Sequence, residues 1–173
     1  VLAGKVNKDL VKLIQMKGGH AIGLHSVTHD YSQIYKSEDA FFADLYGMQK
    51  IIYDHTGVTT YLMRFPGGSS NKVSSFNPGI MTRLVKQVQA EGFQYFDWNV
   101  DSCDAGGATT SKQVYENVIN GVRGRSVSVV LQHDTRGFSV DAVERIIAWG
   151  LCNGYTFKAL SENSPICEHA VNN

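Results

Sequence analysis

Two histidines four residues apart, His25 and His29, carry the first chemistry in this sequence. They follow a short apolar run, Ala21-Ile22-Gly23-Leu24, which reads as a strand. Where the chain coils after that strand, positions i and i+4 face the same way. Two imidazoles on one face can grip one divalent metal ion, as in other His-x-x-x-His sites. A His pair at this spacing is also common by chance, so the weight falls on the other polar clusters. There are three: Arg64 in Arg64-Phe65-Pro66-Gly67-Gly68, Asp101 and Asp104 in Val100-Asp101-Ser102-Cys103-Asp104, and His133 in Leu131-Gln132-His133-Asp134.

The elements that must position these residues follow from periodicity and caps. Val1-Leu2-Ala3-Gly4 reads as the end of a strand. Asn7 can cap a helix through Lys17, with Leu10, Leu13 and Ile14 as its buried stripe and Gly18-Gly19 as its stop. Ser37-Glu38-Asp39 opens a second helix, whose apolar face is Phe41, Phe42, Leu45, Met48, Ile51 and Ile52 and whose end is Gly57. Tyr61 to Met63 is the next strand. Asn77-Pro78 predicts a cap followed by proline at the first helical position, opening a helix with Ile80, Leu84, Val85 and Val88 inside and Gly92 as its stop. Phe93 to Trp98 is a strand, Ser111 to Val122 a helix, and Val127 to Leu131 the clearest strand of all. Ser139 is expected to cap the last helix, with Val143, Ile146, Ile147 and Leu151 buried. Tyr155 to Leu160 is expected to be a closing strand, and the polar tail from Ser161 to be peripheral.

Strand and helix alternate throughout, which predicts an α/β fold with right-handed crossovers and a parallel sheet, open or closed into a barrel. In this frame His25/His29, Arg64, Asp101/Asp104 and His133 each lie just beyond the carboxyl end of a strand. Those ends converge on one face of a parallel fold, and active sites form there.

Composition bounds the rest. The 173 residues are 43% hydrophobic and 18% charged, a globular profile with room for one core. Sixteen Lys and Arg balance sixteen Asp and Glu, so nothing draws the chain to nucleic acid or an anionic membrane. No apolar run approaches the roughly 20 residues of a membrane span. The first residue is Val1, and an export signal removed upstream of it is expected. Cys103, Cys152 and Cys167 are too few and scattered for a disulfide framework and read as thiols, with Cys152–Cys167 the one pairing weighed.

Four of these clusters together resemble the polysaccharide deacetylases, the NodB-homology domain of carbohydrate esterase family 4. His25-Ser26-Val27-Thr28-His29 resembles that family's second, metal-binding motif. Arg64-Phe65-Pro66-Gly67-Gly68 resembles the third, which forms one side of the groove. Val100-Asp101-Ser102-Cys103-Asp104 resembles the fourth, with Ala105 standing where the family carries Trp. Leu131-Gln132-His133 resembles the fifth. The family's first motif, a Thr-Phe-Asp-Asp-Gly type sequence that supplies the catalytic base and a third metal ligand, does not occur in these residues and is expected upstream of Val1.

The resemblance implies one domain over residues 1–173, a distorted (β/α) barrel of the NodB type that is N-terminally incomplete and lacks its first strand and helix. It implies a metal-dependent hydrolase that removes N-acetyl groups from N-acetylglucosamine polymers, with peptidoglycan as substrate and chitin-type oligomers as the other choice. An acetyl-xylan esterase, or an inactive glycan-binding remnant, are the alternatives. The metal expected on His25 and His29 is zinc, with cobalt or nickel in reserve. His133 is expected to be the general acid, Asp104 its orienting partner, and Arg64 the holder of the catalytic carboxylate. The Gly67 N–H is expected to donate to the oxyanion, Pro66 to shape that loop, and Leu131 to meet the acetyl methyl. Ser26 is expected to brace the histidine loop, and Asp30 and Asp134 to accept from the histidines. The chain is expected to act as a monomer on a glycan, outside a bacterial cell or on its surface.

Overall fold

The computed structural model describes residues 2–3, 16 and 18–173. The helix expected from Asn7 to Lys17 lies outside these residues apart from Met16. Contacts group the chain into two compact units, residues 1–97 with 158–173, and residues 98–157.

In the first unit four short parallel strands pair in chain order: β1 (Leu2–Ala3), β2 (Gly23–Leu24), β3 (Leu62–Met63) and β4 (Gln94–Tyr95). Their register sets Leu24 beside Met63 and Met63 beside Tyr95. The residues that follow, His25, Arg64 and Phe96, therefore leave the sheet at the same level. Parallel neighbours need crossovers, and helices supply them. A four-residue turn of helix, α1 (Tyr31–Ile34), precedes the long α2 (Glu38–Thr56). Helix α2 starts where the Ser37 side chain accepts from Ala40 N–H, with Glu38 and Asp39 favourably placed in its first turn. It ends at Gly57, whose left-handed φ of 69° lets its N–H reach the Tyr53 carbonyl. Its inner stripe is Phe41, Leu45, Met48 and Ile52, all buried. Each such side chain removed from water contributes about 1.5–3 kcal/mol. That stripe joins Leu24, Met63, Phe65, Leu84 and Tyr95 in one apolar core.

The helix expected from Pro78 begins later. Helix α3 (Ile80–Ala90) has Gly79 as its N-cap, at φ 76° and without a side-chain capping bond. Asn77 does not cap it; its amide instead donates to the Tyr35 and Lys36 carbonyls, tying this corner to the end of α1. The expected inner face holds for Ile80, Leu84 and Val88, joined by Met81.

The second unit holds a two-stranded parallel pair, β5 (Val100–Asp101) and β6 (Val130–Leu131), in a register that sets Asp101 beside Leu131. Helix α4 (Ser111–Val122) opens on a capping box between Thr110 and Gln113 and buries Val114, Val118, Ile119 and Val122. Helix α5 (Gly137–Cys152) corrects two expectations. Its N-cap is Arg136, so Ser139 lies inside the first turn rather than capping it. Its buried stripe is Ser139, Ala142, Ile146 and Gly150, whereas Val143, Ile147 and Leu151 face solvent. Small residues line the inner face because neighbours come close: a Cβ on Gly150 would stand 2.7 Å from the Phe157 ring.

Tyr155 to Leu160 forms no strand. Tyr155 instead donates its N–H to the Gly150 carbonyl and its hydroxyl to the Val122 carbonyl, and its ring sits 5.5 Å from that of Trp149. Side chains that alternation would assign to a sheet are used here to close the end of α5. Cys152 is a thiol, so the Cys152–Cys167 bridge is not formed. Nor is the tail peripheral. Asn173 donates to the Ser74 and Asn77 carbonyls and accepts from Gly79 N–H, anchoring the loop before α3.

Candidate active site

In the first unit the residues after β2 make a braced loop. The His25 and His29 rings lie 5.0 Å apart, centroid to centroid, at 59°. The His25 Nδ1–H donates to the Arg64 carbonyl at 2.9 Å. A carbonyl can only accept, so Nδ1 carries the proton and the neutral ring presents its lone pair at Nε2. His29 adopts φ 53°, left-handed and costly for a residue with a Cβ. The surroundings hold it there. Ser26, buried, accepts from His29 N–H at 2.8 Å. Asp44 of α2 accepts from Val27 N–H at 2.9 Å and from both the N–H and the hydroxyl of Thr28. Asp30 does not accept from a histidine; it caps α1 through Ser32.

Two imidazoles so turned suit a borderline divalent ion, which accepts neutral imidazole nitrogen readily. The carbonyl behind His25 is the outer partner that fixes its tautomer. Among the described residues no third His, Cys, Asp or Glu joins the pair.

Arg64 leaves β3 beside this loop. Its guanidinium donates from Nε to the Phe96 carbonyl at 2.9 Å and from Nη2 to the Asp97 carbonyl at 3.2 Å. Burial pushes the guanidinium below its ordinary pKa, and the Asp97 charge opposes that shift. Asp97 is wholly buried and accepts from the N–H and hydroxyl of Ser69 and from His169 N–H. The Ser70 hydroxyl hydrogen-bonds the His169 ring, so a residue of the tail stands against the Arg64–Ser70 loop. Pro66 lends its carbonyl to the buried Tyr35 hydroxyl at 2.7 Å. Gly67 follows at φ 77°, where a Cβ would meet that of Asn71 at 3.1 Å. Its N–H makes no hydrogen bond among the described residues.

In the second unit Asp104 and His133 meet. The Asp104 carboxylate accepts from His133 N–H and from its Nδ1–H, each at 2.7 Å, and from the Ser139 hydroxyl at 2.6 Å. Asp104 is 2% exposed, while the His133 side chain is 38% exposed. Burial alone would raise the carboxyl pKa, but the hydrogen bonds from Ser139 and His133 outweigh it and the group is held below the ordinary carboxylate value. The acid is therefore ionised, and it fixes the imidazole with Nδ1 inward and Nε2 as the outer nitrogen. Leu131 is buried at the end of β6. The Asp101 side chain accepts from Cys103 N–H in the turn after β5, and Ala105 and Asp134 are exposed.

The first unit thus gathers His25, His29, Arg64, Pro66 and Gly67, and the second gathers Asp104, Leu131 and His133. Sequence reasoning passed over Asp44 and Asp97, and read Ser139 as a helix cap rather than as a partner of Asp104. Asp97 lies two residues past β4, inside the span that the sequence marks as the strand Phe93 to Trp98. Asp44 gave no signal, for it looks like an ordinary polar position on an amphipathic helix, and Ser139 signalled only a helix cap.

The family described as polysaccharide deacetylase matches residues 2–77. The chain is similar to a peptidoglycan-N-acetylglucosamine deacetylase of Bacillus cereus, 31% identical over 161 residues that cover 90% of this chain and 55% of that protein. It spans about half or less of the length of the curated relatives it matches. The crystal structure of the catalytic domain of a peptidoglycan N-acetylglucosamine deacetylase from Eubacterium rectale superposes with a TM-score of 0.92 at 50% identity, covering all of this chain and 82% of that one. A polysaccharide deacetylase structure from Bacillus cereus superposes at 0.78 with 30% identity, covering 92% of this chain and 76% of that one. With half of its residues identical to a solved deacetylase domain along its whole length, the chain belongs to the polysaccharide deacetylase family.

Proposed function

We propose that this chain carries most of the machinery of a metal-dependent deacetylase acting on N-acetylglucosamine polymers, with peptidoglycan as the substrate class, and that it acts outside the bacterial cell or on its surface. The observation that carries the reading is the His25–His29 pair, rings 5.0 Å apart, with Nδ1 of His25 anchored on a backbone carbonyl. His25 and His29 would hold a divalent ion, zinc by preference, and a carboxylate of the family's first motif would complete its ligands. The ion, when bound, supplies an activated water and polarises the acetyl carbonyl.

This chain's own residues supply the rest. The Gly67 N–H, without an acceptor among the described residues, donates to the oxygen on which charge develops. Arg64, braced by the Phe96 and Asp97 carbonyls, presents its fork to the carboxylate that acts as base. His133, with Asp104 on Nδ1, delivers a proton from Nε2 to the leaving nitrogen. Leu131 offers an apolar contact to the acetyl methyl.

A second reading, glycan binding without turnover, is favoured by the lack of a third ligand among the described residues. Acetate release from N-acetylglucosamine oligomers, with and without added Zn²⁺, separates the two. Metal-stimulated release that His25→Ala abolishes along with metal binding supports hydrolysis. Oligomer binding with no release under any metal sinks it. Acetyl-xylan assayed alongside tells amide from ester preference.

A further inference from the structure

The Gly67 N–H belongs to the middle peptide of a tight turn. Gly68 N–H donates to the Phe65 carbonyl at 2.8 Å and closes residues 65–68 into a β-turn. Pro66 is its second residue, where the ring holds φ negative. Gly67 is its third, at φ 77°. A negative φ followed by a positive one makes this a type II turn. The related type I turn has the middle peptide rotated to face the other way and a negative φ at the third residue. Glycine takes either sign, so the turn's own residues leave both orientations of the Pro66–Gly67 peptide open.

A side chain from another part of the chain decides between them. Tyr35, 0% exposed, donates its hydroxyl to the Pro66 carbonyl at 2.7 Å. In a planar trans peptide the C=O and N–H point in opposite directions. Holding the Pro66 carbonyl on Tyr35 therefore aims the Gly67 N–H away from that ring, and the N–H makes no hydrogen bond among the described residues. Rotating the peptide would withdraw the carbonyl and cost the buried phenol its acceptor.

Tyr35 is itself well fixed. It ends α1, where its N–H donates to the Tyr31 carbonyl and its own carbonyl accepts from the Asn77 amide. Its ring stacks on those of Tyr31 and Phe41, with centroids 6.4 and 6.0 Å away. Burial pushes its ionisation well above the ordinary tyrosine value, so the hydroxyl keeps the proton it donates. One short helix thus follows the histidine loop and ends on the group that aims the Gly67 N–H.

We infer that Tyr35 is a positioning residue for the deacetylation reaction: its hydroxyl selects the orientation of the Pro66–Gly67 peptide that presents the Gly67 N–H to the developing oxyanion. That the N–H meets an oxyanion rests on the deacetylase reading; how it is aimed follows from the turn alone.

Tyr35→Phe removes the hydroxyl and keeps the ring. In NMR spectra of the intact chain, a type II turn brings the Pro66 Hα close to the Gly67 N–H, whereas type I brings the Gly67 and Gly68 N–H groups together. The first cross-peak is expected to be strong in wild type and to weaken in Tyr35→Phe as the second grows. Its absence from wild type overturns the inference before any variant is made. With Zn²⁺ and N-acetylglucosamine oligomers, kcat for acetate release is expected to fall about tenfold in Tyr35→Phe, with KM and zinc content unchanged. Ile52→Val, in the same core and away from the turn, lowers stability alone and is expected to keep both cross-peak and kcat. An unchanged cross-peak in Tyr35→Phe, a changed one with kcat intact, or an equal fall in kcat in both variants overturns the inference. The expected cross-peak change with no acetate release from wild type would fail the deacetylase reading and leave the hold of Tyr35 on the peptide standing.

Discussion

Ser139 donates its hydroxyl to Asp104 at 2.6 Å, across 35 residues of sequence and from inside a helix rather than from its cap. The bond joins two that the carboxylate accepts from His133. Helix α5 thereby fixes the plane of the acid, and the acid fixes the imidazole. Ser139→Ala removes one donor from a buried, ionised acceptor, a loss of about 1.5–3 kcal/mol in stability. Turnover should fall severalfold with metal content unchanged. Thermal melting, metal analysis and acetate release on one preparation check this; an unchanged melting temperature would mean that water replaces the hydroxyl without cost.

The same carboxylate should leave its mark on acid unfolding. Asp104 has a folded pKa held below the ordinary 3.8. On acidification the unfolded chain takes up its proton first, so the stabilisation is complete above 3.8 and is lost as pH falls through the lower, folded value. Urea midpoints measured from pH 5 down to pH 2.5 should drop more steeply for wild type than for Asp104→Asn. Asp30 and Glu38 are also held low, but they are common to both proteins and cancel in the difference. Parallel curves would show that the ionised form gains nothing from folding.

The strand-end rule explains why so much of the site was legible. His25, Arg64, Asp104 and His133 are polar residues placed just past short apolar runs, and parallel pairing brings runs of that kind into register whatever the rest of the chain does. Ser37, Gly57 and Thr110 mark helix ends where local chemistry decides the outcome. What escaped was decided by tertiary contact. Ser139 looks like a cap in sequence, and only the position of Asp104 makes it a donor. Tyr155 and Phe157 alternate like a strand, yet the small residues of α5 leave a seat for their rings. Asn173 and His169 read as a polar tail because their partners, Ser74 and Ser70, lie about a hundred residues away.

Asp44 sits on α2 and accepts two backbone N–H groups of the loop between the histidines. Asp44→Ala should free that loop to leave the left-handed turn at His29. Zinc affinity, read by competition with a coloured chelator, should fall about tenfold, while Asp44→Asn, which keeps one acceptor oxygen, should lose less. A drop in melting temperature with affinity intact would make Asp44 a brace for the fold alone.

The role given to His133 is the one that separates proton transfer from metal binding. Its ring is held by Asp104 through Nδ1, and it leaves the strand pair of the second unit. His133→Ala should therefore leave zinc content as in wild type and cut kcat by on the order of 10²–10⁴-fold. His25→Ala should do the reverse in kind, emptying the metal site first and losing turnover as a consequence. The pH profile gives an independent handle. A general acid must carry its proton at working pH, so the basic limb of the wild-type rate profile should vanish in His133→Ala and persist, at lower rate, in Ser139→Ala. Near-full turnover in His133→Ala, or metal loss matching that of His25→Ala, would take the proton from His133 and assign it elsewhere.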